Sequence, residues 1–187
     1  MKNENDLRVQ KTQKALCDAL MELLEVKCFD SISISELCDR ALVRRATFYK
    51  HFYDKYDFWR FFVKRMRKKF LDDNPDNNWG GELKQYCMYC FRRSIEFFLS
   101  HKMIVNSIVN SNDACILVDS FTEEISVNIC NFLERTGKEY VTEPSVIATF
   151  CAGGIVSLLR RWFLSGNMIS EKTAMDEFEK LMSVFQM

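Results

Sequence analysis

Ser33-Ile34-Ser35-Glu36-Leu37-Cys38-Asp39-Arg40-Ala41-Leu42-Val43-Arg44-Arg45-Ala46-Thr47-Phe48-Tyr49-Lys50-His51-Phe52-Tyr53-Asp54-Lys55-Tyr56-Asp57 holds two short helical patterns on either side of a tight turn. Ser33 and Glu36 have the spacing of a capping box, in which the hydroxyl meets the N3 amide and the carboxylate reaches back. Ile34, Leu37, Cys38 and Ala41 then recur at i, i+3, i+4 and i+7, so a helix over about 34–41 suits the alternation of Ser31–Ser35 better than a strand without a partner. Leu42-Val43 makes the turn, and a further helix runs from Arg44 to about Phe52. Phe48 and Phe52, four apart, can anchor that helix inward with Val43 beside them. Arg44 and Thr47 share one outward face, and Arg45 and Tyr49 the neighbouring one. An apolar back and a front of Arg44, Arg45, Thr47, Tyr49 and Lys50 suit a helix laid in the major groove of DNA. There an Arg can bond guanine O6 and N7, a Thr can meet a thymine methyl or a phosphate, and Tyr and Lys suit phosphate oxygens.

Before this segment, apolar residues from Leu16 to Val26 fall at intervals of three and four, as on one face of a helix, which ends near Cys28-Phe29-Asp30. After it, Asp54 can cap a fourth helix from Lys55 to about Leu71. Residues 72–81, rich in Asp, Asn and Gly, have the composition of a linker. The remainder reads as all helix, over 82–100, 101–110, 113–135, 144–165 and 171–186. Gly137 and Gly166 stand where helices should end, and Pro144 where one should begin. The fold expected is therefore all-α. An N-terminal three-helix helix-turn-helix domain (1–54), with its linking fourth helix (55–71), joins a larger helical domain (72–187).

Bulk properties agree. Hydrophobic residues make up 48% of the 187, enough for a core, and 16 Phe against 6 Gly and 2 Pro favour long helices over turn-rich β architecture. Net charge is zero, yet residues 1–70 carry 16 Lys+Arg against 10 Asp+Glu, an excess of six positive charges that residues 71–187 reverse. A basic first third suits a polyanionic partner. The polar opening has no signal-peptide pattern and no apolar run reaches the length of a membrane span, so a cytoplasmic protein is expected, with its eight Cys reduced and acting as small apolar residues. Cys87-Met88-Tyr89-Cys90 has C-x-x-C spacing but no second Cys pair, and His51 and His101 are the chain's two histidines. No metal or cofactor site is expected. No nucleophile stands beside a base, so no enzyme is expected either.

Phe29-Asp30-Ser31-Ile32-Ser33-Ile34, the run Ala41–Phe52 with its Thr-Phe-Tyr-x-His-Phe core, and Lys55-Tyr56-Asp57-Phe58 resemble the DNA-binding domain of TetR-family transcriptional regulators. The likeness covers about residues 7–62. It implies a homodimeric repressor on a double-stranded, palindromic DNA operator, with a C-terminal domain that binds a small-molecule effector and dimerises through the last two helices. It also implies DNA contact or recognition-helix roles for Thr47, Tyr49 and His51, and a phosphate contact for Lys55. The family usually has Gly where Leu42 stands and a small hydroxyl residue where Arg44 stands. These departures leave a second possibility: a protein of the same fold that acts through another transcription factor.

In the C-terminal part, Gly153-Gly154 within a helix implies close approach of another helix to offset their low helix propensity. Leu158, Trp162, Phe178, Leu181, Met182 and Phe185 are either dimer interface or the chain's own core. Tyr86, Tyr89, Phe91, Phe97, Phe98, Phe121 and Phe150 either line an effector cavity or pack as core. Arg92-Arg93 either meet an anionic ligand or pair with acidic neighbours.

Overall fold

The structure, a computed structural model, describes residues 7–71, 82–164 and 170–184. Among these every regular element is helical: α1 (Leu7–Leu24), a 3-10 turn (Phe29–Ser31), α2 (Ile34–Arg40), α3 (Arg45–His51), α4 (Lys55–Leu71), α5 (Leu83–Ser100), α6 (Lys102–Val109), α7 (Ala114–Thr136), α8 (Pro144–Leu164) and α9 (Glu171–Val184). The all-α expectation holds. The 72–81 linker, Gly166 and Phe185 lie outside the described residues.

Local chemistry places the boundaries. Ser33 is the N-cap of α2, its hydroxyl accepting from the Glu36 amide at 3.2 Å. The Glu36 carboxyl is held below the usual carboxylate range, chiefly by the Lys27 ammonium paired with it. Asp54 starts α4, its carboxylate accepting from the Asp57 amide at 2.7 Å. Gly137, at φ +63°, ends α7 in the left-handed conformation glycine adopts without penalty. Pro144 opens α8.

The chain divides into two units, residues 1–62 with 101–118, and 63–100 with 119–187. In the first, α1 packs on α2 and α6, and α2 on α3. Leu16, Leu20, Leu24, Phe29, Leu37, Phe48 and Trp59 are fully or almost fully buried there. α6 joins by burying Ile104, Val105 and Ile108, and Ser107 donates to the Leu24 carbonyl at the end of α1. Asn112 donates to Asp30 at 2.9 Å, and the Tyr56 hydroxyl to Asp113 at 2.7 Å. The 82–187 stretch thus contributes a segment, 101–118, to the core around the N-terminal helices, which no local pattern announces.

In the second unit α5 is central, packed by α8 and α9. Phe91 stacks on Phe178 (4.1 Å between centroids) and meets Trp162 edge-on (5.5 Å), while Tyr86 stacks on Phe132 (4.2 Å). Two of the proposed interface residues, Phe178 and Met182, are therefore buried in the chain's own core, at 3% and 4% exposure. Phe150, expected either to line a cavity or to pack as core, is instead 58% exposed. A Cβ added at Gly153 or Gly154 would meet nothing within 4 Å, so the close helix approach expected there is not made by the described residues. The absence of any membrane-length apolar segment needs amending: by length and composition α8 could cross a membrane, with mean hydropathy 1.4. Its packing on α5 is what a core helix shows equally.

Candidate nucleic-acid interface

The turn between α2 and α3 is built by backbone hydrogen bonds. The amide of Leu42 donates to the Asp39 carbonyl at 3.2 Å, and that of Val43 to the Cys38 carbonyl at 2.9 Å. This is a Schellman motif, which needs a left-handed residue at its centre. Leu42 fills that position at φ +55°, with 94% of its surface exposed. A branched residue there costs about 1–2 kcal/mol of backbone strain relative to the right-handed region.

Arg44 is the N-cap of α3. Its carbonyl accepts from the Thr47 amide at 2.8 Å, but its side chain makes no capping bond. The inward face of α3 is aromatic. Phe48 and Phe52 lie 5.4 Å apart, and Phe58 of α4 stands 5.7 and 4.9 Å from them. This underside fixes how α3 is rotated about its axis, and Arg44, Arg45, Tyr49 and Lys50 are exposed as a result, with Thr47 and His51 half-buried. Tyr49 is 56% exposed, its ring edge-on to Phe48 at 5.5 Å. Arg45 donates to the Ser35 hydroxyl, which ties α3 to the first turn of α2. No described acidic residue forms an ion pair with Arg44 or Arg45.

Lys55 behaves differently. Its ammonium donates to the carbonyls of Phe29 (2.9 Å), Asp30 (3.2 Å) and Ile32 (3.0 Å) and lies 4.5 Å from the Phe29 ring centroid. Burial lowers its pKa from the ordinary lysine value. An ammonium has three protons, and three carbonyls take them. Lys55 thus closes the C-terminal end of the 3-10 turn, a structural role beside the phosphate contact implied for it.

Two exposed neighbours of α3 stand outside the residues expected to meet DNA: Leu42, and Tyr53 at 86% exposure. A turn residue of the wrong type was the available signal for Leu42; nothing marked Tyr53. The C-x-x-C pair is interior. Burial pushes the Cys90 thiol up to about 12, and Cys87, hydrogen-bonded to Cys151 of α8, is held protonated. Arg93 pairs with Glu96 and Arg92 is exposed. Among the described residues no group of three or more His, Cys, Asp or Glu is placed to hold a metal.

Residues 87–184, just over half of the chain, match the TetR-type family model described as a transcriptional regulator C-terminal region. The whole fold is similar to solved structures. A protein from Rhodococcus sp. assigned to the TetR-family transcriptional regulators superposes with a TM-score of 0.67 at 14% identity, over 94% of this chain and 98% of that one. NalD from Pseudomonas aeruginosa, the secondary repressor of the MexAB-OprM multidrug efflux pump, gives 0.57 at 15% identity, over 92% and 95%. FadR from Bacillus subtilis, solved with stearoyl-CoA, gives 0.60 at 13% identity, over 90% and 96%. At these identities the likeness is one of fold. No curated protein matches the sequence.

Proposed function

Because the chain belongs to the TetR family of transcriptional regulators, we propose that it is a cytoplasmic, sequence-specific DNA-binding protein and that it works as a homodimeric, effector-responsive repressor. The observation that carries this is the outward face of α3. Arg44, Arg45, Tyr49 and Lys50 are exposed on a helix whose underside is locked by Phe48, Phe52 and Phe58. Thr47 and His51 complete the reading surface, and Lys55 holds its scaffold. The head corresponds to residues 1–54 with α4 as its link, and residues 72–187 carry effector binding and dimerisation. The two copies of α3 enter successive major grooves of a palindrome, with half-sites about 34–36 Å or a multiple apart.

Dimerisation falls to the outer faces of the last two helices. Val146, Phe150 and Leu164 of α8 and Leu181 and Val184 of α9 are exposed large apolar side chains, and the open space at Gly153 and Gly154 admits a second helix closely. The test is an electrophoretic mobility shift on DNA from upstream of the protein's own gene, over a salt series. With Arg44, Arg45 and Lys50 of both copies on the duplex, log affinity should fall against log salt with a slope of about −5. Arg44→Ala and Arg45→Ala should each weaken binding at least tenfold. A dimer that shifts no DNA but co-purifies with a transcription factor would instead establish the protein as a co-regulator.

A further inference from the structure

Across from one another on α4 and α7 stand three polar side chains, each with a polar atom that the described residues leave without a hydrogen bond. Arg67 Nε lies 3.1 Å from Glu124 Oε2, with the two side chains 12% and 20% exposed. The contact is an ion pair but not an aligned hydrogen bond, and both atoms are buried without a hydrogen-bond partner. One turn further along α7, Asn128 is 6% exposed and its Nδ2 has no acceptor among the described residues. Val63, one turn before Arg67, and Ile125 and Ile129, next in sequence to Glu124 and Asn128, are buried. Orphaned polar atoms in an interior are costly and few in native proteins. Three on one helix–helix seam offer hydrogen-bonding capacity that a ligand could use.

Their chemistry specifies what would satisfy them. Arg67 Nε and Asn128 Nδ2 are donors in want of an acceptor, and Glu124 Oε2 is an acceptor in want of a donor. The guanidinium and the carboxylate cancel in charge. A carboxylate ligand would be repelled by Glu124 and an ammonium by Arg67, with little water to screen either. We propose that this α4–α7 seam holds the polar head of the effector, and that the head is neutral: a carboxamide, urea or similar group presenting a carbonyl oxygen to Asn128 and Arg67 and an N–H to Glu124. The assignment rests on the effector-binding part of the function proposed above and names its ligand class.

The test uses the full-length protein without DNA, so its outcome is independent of operator binding, which the mobility shift decides. Benzamide, benzoate, benzylamine and ethylbenzene are titrated by ligand-observed NMR as neutral, anionic, cationic and apolar probes of one size. Benzamide should bind saturably and at least tenfold more tightly than the other three. Asn128→Leu should weaken it about tenfold. Glu124→Gln, nearly the same shape, leaves Arg67 without its counter-charge and should shift the preference toward benzoate, a reversal that a merely structural role would not produce. Failure of all four to bind overturns the proposal, as does equal binding of ethylbenzene or benzoate to the wild type, or a Glu124→Gln variant with unchanged preference.

Discussion

Leu42 and Arg44 both break a local rule, and both sit at the entrance to α3. Leu42 occupies a left-handed position that glycine would fill without strain, and Arg44 occupies an N-cap that a hydroxyl would satisfy. Each choice lowers stability. Leu42→Gly removes the strain, part of which is returned as greater freedom of the unfolded chain, so a net gain of about 0.5–1 kcal/mol is expected. Arg44→Ser supplies a capping oxygen and should gain about 1 kcal/mol, while operator affinity falls because a cation is lost from the reading face. Urea denaturation beside the mobility shift separates the two effects. A variant that loses both stability and affinity would mean that Arg44 supports the fold and does not read DNA.

Among the elements, α3 was the most legible. The four-residue spacing of Phe48 and Phe52 sets its inward face, and the residues expected outward are exposed or half-exposed. The starts of α2, α4 and α8 were legible because a cap or a proline is a local signal: Ser33, Asp54 and Pro144 act within a few residues of themselves. Lys55 was not. A cation opening α4 looks the same in sequence whether it faces phosphate or protein, and the carbonyls it meets lie 23–26 residues earlier, brought together by a 3-10 turn. Arg67 was equally hidden, one cation among five between Lys64 and Lys69, distinguished only by Glu124 across the seam. The role assigned to Lys55 has a consequence. Lys55→Met leaves three carbonyls short of a donor and should destabilise the protein by about 1–3 kcal/mol. At a temperature where the variant remains folded, the salt slope of DNA binding should be unchanged, whereas loss of a phosphate contact in each copy would reduce it by about 2. Urea titration and the salt series on the same preparation decide between the two roles.

At the scale of the whole molecule, the apolar residues of α8 and α9 divide between the chain's own core and an exposed surface, and periodicity alone cannot make that division. Phe178 and Leu181 are three apart on α9, yet the first is 3% exposed, stacked on Phe91, and the second 39%. What separates them is the position of α5, a long-range fact. The same partition leaves Val146, Phe150 and Leu164 exposed along α8, with Gly153 and Gly154 between them offering no side chain to keep a partner helix away. If this surface is the dimer contact, a charge at its largest apolar side chain should break the dimer without harming the subunit, because Phe150 is already 58% exposed. Phe150→Glu should therefore move the protein from dimer to monomer in sedimentation equilibrium while its helical circular dichroism stays unchanged. It should also weaken operator binding far more than it changes binding to a single half-site, since each monomer keeps α3 intact but loses the second head's contribution to effective concentration. A Phe150→Glu protein that sediments as a dimer places the contact elsewhere on the molecule. One that becomes monomeric yet binds the full operator undiminished shows that the two heads do not act together.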